Sequence, residues 1–111
     1  YVRDWMLPGG GVGKREDPAD AVIREVREET GIVAVVERLH GRFLDTRSGA
    51  RNHISIFLCA SAGGEPQVDG AEILEARWFA PDALPGDLAR ASAQRSAEIV
   101  TNRPPDGERW V

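Results

Sequence analysis

Carboxylates at helical spacing are the first feature of this 111-residue chain that could do chemistry. Glu25 and Glu28 stand three residues apart, and Glu25 and Glu29 four apart, so on a helix they project from the same side. Glu16 lies upstream, at the end of a loop that contains Gly9, Gly10, Gly11 and Gly13. Like charges this close repel, which raises the pKa of at least one carboxyl unless a cation compensates. Clustered carboxylate oxygens are hard ligands that suit Mg²⁺ or Mn²⁺ rather than zinc, which favours His and Cys. Backbone carbonyls of the glycine loop would add further hard ligands. Taken alone, the run Arg24-Glu25-Val26-Arg27-Glu28-Glu29 is more simply a solvated helix face, with Arg24 and Glu28 paired at i, i+4.

Those side chains need a helix with defined ends. Asp17 supplies an N-cap, Pro18 suits the first helical position, and Asp20 adds a second acid to the first turn. Ala19, Val22, Ile23 and Val26 recur at i, i+3, i+4 and i+7 and predict one buried stripe, which the glutamates flank or oppose. Gly31 supplies a left-handed C-cap, so the helix should run from Pro18 to Thr30. Around it, residues 1–7 read as a strand stopped by Pro8. Residues 32–45 read as one or two strands, 46–52 as a polar turn, and 53–60 as a strand. Residues 75–80 read as a short strand, 87–101 as a helix, and the Pro-rich tail from Asn102 as irregular. The order predicts one α+β domain over residues 1–111 with a mixed sheet.

Composition narrows the class. Eighteen acidic against fourteen basic residues give a formal charge of −4, a poor match to the clustered Lys and Arg that nucleic acid requires. The longest uncharged apolar run, from Ile54 to Ala62, is about half of the roughly 18 residues a membrane helix needs. The single cysteine, Cys59, excludes an internal disulfide and fits a reducing, cytoplasmic setting.

The glycine loop and the helix together form a longer pattern. From Gly10 the chain runs five residues to Glu16, seven more to Arg24-Glu25-Val26-Arg27-Glu28-Glu29, and closes on Gly31-Ile32. This run resembles the complete Nudix box, and Trp5, Leu7, Pro8 and Gly9 resemble its usual lead-in. The resemblance implies an α/β/α sandwich in which the box forms a loop–helix–loop. It also implies Mg²⁺- or Mn²⁺-dependent hydrolysis of a nucleoside diphosphate linked to another group. Carried over by position, Glu28 and Glu29 resemble the core metal ligands, with Glu25 a third ligand or the general base. The carbonyl of Gly10, or of Gly9 beside it, would complete the coordination. Arg24 would hold a carboxylate in place, and Glu16 would either back up the ligands from behind or be a supporting ligand itself. Glu72 sits where many relatives carry an extra catalytic acid, with Asp69 and Glu75 as weaker alternatives. A homodimer is a further expectation from the resemblance.

Other residues have plainer readings. Gly9 to Lys14 invites a phosphate-loop reading, but Pro8 stands where its first glycine should be and Arg15 where Ser or Thr should bind Mg²⁺. His40 and His53 read as structural histidines, Cys59 as a core residue and Trp78 as a packed strand aromatic. Trp5 and Phe43 suit stacking on a base, the core or a subunit interface. Downstream of the box there is no proline before Pro66 and no tyrosine, so markers of ADP-ribose and dinucleoside polyphosphate relatives are missing. A nucleoside triphosphate or nucleotide sugar is thereby favoured. The alternative is a non-catalytic nucleotide-binding module on the same scaffold. Nudix domains usually place roughly 30–40 residues of strand and hairpin before the box. Nine residues precede Gly10 here, so upstream strands are expected to be missing from this chain.

Overall fold

A computed structural model describes residues 5–68, 73 and 75–110. The expectations for residues 1–4, Asp69 and Glu72 lie outside those residues. Helix α1 spans Pro18–Thr30, strand β1 Val33–Asp45, strand β2 Asn52–Gly63 and helix α2 Arg90–Val100. β1 and β2 pair as a two-stranded antiparallel sheet, and isolated parallel bridges join Trp5 to Leu88 and Leu44 to Arg109. The fold class is α+β, as expected. Among the described residues no helix is long and apolar enough to cross a membrane. The chain divides into two compact units: Pro8–Arg38 with Cys59–Phe79, and Tyr1–Leu7 with Leu39–Leu58 and Ala80–Val111.

The first unit carries α1, whose ends follow its capping residues. Asp17 accepts a hydrogen bond from the Ala19 amide at 2.9 Å, and Pro18 needs no donor there. At the other end Gly31 adopts φ 77°, and its amide donates to Arg27 O at 2.9 Å. The Gln67 amide donates to Thr30 O at 2.7 Å, satisfying a further carbonyl that the helix end would leave bare. The expected apolar stripe is displaced. Ala19, Val22, Ile23 and Val26 are half-buried, and Ala21, beside them on the helix, is the sealed residue. Ala21 shares a side with Arg24 and Glu25 at i+3 and i+4. The buried face of α1 therefore leads directly into the charged residues rather than away from them.

Two elements of this unit differ from expectation. Residues 75–80 form no strand, and Trp78 is 62 % exposed rather than packed. A segment with no ladder partner has no fixed face to turn inward, so strand-like composition alone cannot bury its aromatic ring. Cys59 is half-buried, not sealed in a core; burial, and then the nearby Glu37 carboxylate, push its thiol pKa up.

The second unit packs around Phe43, Ala91 and the buried polar residues His40, Ser92, Arg95 and Glu98. α2 begins at Arg90 rather than 87 because residues 87–89 are engaged elsewhere. The Trp5 amide donates to Asp87 O at 3.3 Å and the Ala89 amide to Trp5 O at 2.7 Å. The tail beyond α2 is irregular but fixed: the Leu44 amide donates to Glu108 O at 2.7 Å, and the Trp110 amide to Leu44 O at 3.0 Å. His40 Nε2 lies 2.9 Å from Glu98 Oε1, so this histidine is a buried structural one. His53 is exposed. Phe43 is core, with the Arg95 guanidinium 4.0 Å from its ring centre and Trp110 stacked at a tilt 6.1 Å away.

Candidate active site

Arg24 is the centre of the box geometry, and all five of its N–H donors find acceptors. Nε donates to Glu16 Oε2 at 2.8 Å, while Nη2 donates to Glu16 Oε1 at 2.9 Å and to Gly11 O at 3.0 Å. Nη1 donates to Glu25 Oε1 at 2.9 Å and to Glu28 Oε2 at 3.2 Å. One guanidinium thus joins the loop to two box carboxylates. The i, i+4 pair with Glu28 was expected from spacing; the two-bond fork onto Glu16, eight residues away, was not.

The electrostatics follow from that fork. Its hydrogen bonds from Arg24, then the Gly13 amide at 2.9 Å, hold the Glu16 carboxyl down to about 2 against the opposing effect of burial. The same contacts push the Arg24 pKa further up. The mutual repulsion expected among the glutamates is therefore met by a resident cation, Arg24.

The glycine loop runs against the glutamate face. The Gly9 amide donates to Glu29 Oε2 at 3.1 Å. A Cβ at Gly10 would sit 2.6 Å from the Cδ and Oε2 of Glu25, so only glycine leaves the Glu25 carboxyl where it is. Glu25 is mostly covered, with 17 % of its side chain exposed, whereas Glu28 is 60 % exposed. The structure thus brings Gly10, Glu16, Arg24, Glu25, Glu28 and Glu29 to one loop–helix corner, and Glu72 lies outside the described residues. The Gly10–Glu25 contact was invisible to helical periodicity; the fixed spacing of the motif is the only sequence signal that contains it.

The donor chemistry of this corner fits a hard divalent cation. It offers carboxylate oxygens and main-chain carbonyls, with no sulfur or imidazole. In the side-chain positions found, no group of three or more His, Cys, Asp or Glu among the described residues converges as a ligand set. Glu25 and Glu28 instead turn one oxygen each towards Arg24 Nη1.

A loop–helix–loop that carries these residues on an α+β frame defines a class of protein, and sequence comparison agrees with it. The NUDIX domain pattern matches residues 2–102, and the chain belongs to the Nudix family. An ADP-ribose pyrophosphatase of Methanocaldococcus jannaschii is 36% identical over 83 residues, which cover 73% of this chain and 48% of that one. A solved MutT NUDIX hydrolase from Burkholderia pseudomallei superposes with a TM-score of 0.68 at 34% identity, covering 86% of this chain and 77% of that one. A solved UDP-X diphosphatase gives a TM-score of 0.65 at 26% identity, over 89% of this chain and 52% of that one. The chain spans about half the length of curated relatives it matches, 53% and 48% in two cases.

Proposed function

We propose that this chain is the catalytic domain of a divalent-metal-dependent Nudix hydrolase. Its substrate is a nucleoside diphosphate linked to another group, a nucleoside triphosphate or nucleotide sugar being favoured, and water attacks phosphorus. The observation that carries the reading is the joint hold of Arg24 on Glu25 and Glu28 beside a glycine loop that leaves room for the Glu25 carboxyl. Glu25, Glu28 and Glu29, with the Gly10 carbonyl, would hold Mg²⁺ or Mn²⁺. Such an ion neutralises diphosphate charge and makes the attacking water more acidic.

The chain's own residues have separable tasks. Arg24 fixes one oxygen of each of two carboxylates by charge-assisted hydrogen bonds. The remaining oxygens, Glu25 Oε2 and Glu28 Oε1, have no hydrogen-bond partner among the described residues and stand ready to take a ligand or a proton. Glu25 is the more enclosed of the two, Glu28 the more solvated; either arrangement suits a general base. Glu72 is proposed as a further acid at this site. The reading places the protein in the cytoplasm, where Cys59 stays reduced.

The relatives named for ADP-ribose and for UDP-X support a nucleoside diphosphate joined to a second group. A panel of nucleoside triphosphates, nucleotide sugars, ADP-ribose and dinucleoside polyphosphates, assayed with Mg²⁺ and with Mn²⁺, tests the proposal. Turnover of at least one class, abolished by EDTA, is expected. Silence across the panel, with calorimetric binding of a nucleotide, would instead establish a binding module.

A further inference from the structure

We infer that Gly64, outside the box, is a positioning residue for the cation site: it clasps the last turn of α1, where Glu28 and Glu29 stand. The inference rests on the function proposed above. Gly64 follows the end of β2 and adopts φ 86°, while Gly31 caps α1 at φ 77°. The two glycines meet backbone on backbone. A Cβ on Gly64 would overlap the Gly31 carbonyl oxygen and lie 3.2 Å from Ile32 Cα. Just beyond, the Gln67 amide donates to Thr30 O at 2.7 Å. The segment leaving β2 thus holds the box helix by its final carbonyls, groups that a helix end leaves without intrahelical partners.

The clasp reaches the site through the last turn of the helix. Ile32 and Ala34 are buried just past the cap, so the cap cannot retreat along β1. Thr30 Oγ1 donates to Val26 O at 2.6 Å and accepts from the Ile32 amide at 3.2 Å, which ties that turn to the residues under Gly64. In the same turn Glu29 Oε2 accepts from the Gly9 amide at 3.1 Å, the contact that sets the glycine loop against the helix end. Opening the clasp frees Glu28 and Glu29, while Arg24 keeps its contacts to Glu16 and Gly11. A Cβ at Gly64 must part the two segments by about 1 Å to reach ordinary contact, and a shift of that size at a reacting site costs up to about 100-fold. A Cβ at Gly31 differs, since it meets Glu65 O at 3.1 Å, which a few tenths of an ångström relieve.

Gly49 is the matched control, with φ 85° and nothing within 4 Å of an added Cβ. Gly49→Ala carries the same left-handed backbone strain as Gly64→Ala, without the overlap. Mn²⁺ affinity without nucleotide, measured on the full chain by calorimetry, separates the two. Gly64→Ala should weaken Mn²⁺ binding about 10-fold or more, the range for groups that orient metal ligands. In the metal-free chain the same change should move the NMR resonance of the Gly9 amide proton, which reports its bond to Glu29. Gly49→Ala should lower the melting midpoint by about 4–8 °C and alter Mn²⁺ affinity less than about 2-fold. Gln67→Pro removes the amide given to Thr30 O, should bind Mn²⁺ as weakly as Gly64→Ala, and carries the test should that variant not fold. Wild-type Mn²⁺ affinity in the folded clasp variant, or equal losses in it and in Gly49→Ala, would overturn the inference alone. A wild-type chain that binds no Mn²⁺ would overturn the proposed function and this inference together.

Discussion

Replacing Glu98 by Gln keeps the shape of the buried cluster in the second unit while removing its negative charge. Arg95 and Glu98 are each 1 % exposed, and Arg95 Nη1 lies 3.3 Å from Glu98 Oε1. Among the described residues Arg95 has no other ion-pair partner, and its Nε is buried without any partner. Glu98 also accepts from the Asp106 amide at 2.7 Å and meets His40 at 2.9 Å. Glu98→Gln therefore leaves a buried guanidinium uncompensated, which costs about 3–5 kcal/mol. Against a total stability of about 5–15 kcal/mol this is a large fraction. With a urea dependence of about 2 kcal/mol per molar, the unfolding midpoint should fall by about 1.5–2.5 M. Adding Arg95→Met removes the orphaned charge and should recover at least about 1 kcal/mol of the loss. The pH dependence has a definite sign. Burial alone would raise the Glu98 carboxyl, but His40, the Asp106 amide and Arg95 outweigh it and leave its pKa lowered. Its stabilisation is thus complete above the ordinary carboxylate value of 4.5 and is lost as pH falls through the lower folded value. The gap between wild type and Glu98→Gln should accordingly narrow in acid. A loss below about 1 kcal/mol at neutral pH, or the same loss with and without Arg95, would refute the ion-pair argument.

Three further outcomes follow from the box. Gly10→Ala would press on the far end of a flexible side chain, 2.6 Å from Glu25 Cδ, so Glu25 should swing away while the fold stays. Turnover should fall about 10-fold or more with an unchanged melting midpoint; a stability loss without a turnover loss would contradict this. Gly31→Ala forces a Cβ into φ 77° and should cost about 1 kcal/mol in urea unfolding, with little effect on the catalytic rate of folded protein. Glu28→Gln should lower turnover at least about 100-fold in steady-state assays, and a change of only a few-fold would remove Glu28 from the ligand set.

Local chemistry was the legible part of the fold. Asp17, Pro18 and Gly31 bound α1 at the residues that capping rules give, because a cap needs only its immediate neighbours. Both long strands were visible in their apolar residues, although β2 extends to Gly63, beyond the expected end. What failed depends on partners distant in sequence. α2 starts at Arg90 because Trp5 holds the backbone at 87 and 89, a contact that no helix propensity contains. The resemblance implies a packed strand aromatic at Trp78, yet its segment has no strand to pair with among the described residues. The buried His40–Glu98 pair joins residues 58 apart, and neither residue type would be placed inside on hydropathy alone.

The candidate site shows why spacing held more than periodicity. The 3.6-residue repeat puts Glu25, Glu28 and Glu29 on one side of α1, and a solvated face has the same repeat. The distinction lies in residues that the repeat does not reach. Glu16 precedes the helix and Gly10 and Gly11 precede Glu16, yet all three touch Arg24 or Glu25. A surface helix needs no such loop, because its arginines can pair with water or with any neighbouring acid at little difference in energy. Here the five donors of Arg24 are divided between a loop carbonyl, a loop carboxylate and two helix carboxylates. Moving Glu16 or Gly10 by one residue would break that division without changing the helix at all. The fixed intervals from Gly10 to Glu16 and from Glu16 to Arg24 are therefore the lengths this loop needs to close back on its own helix.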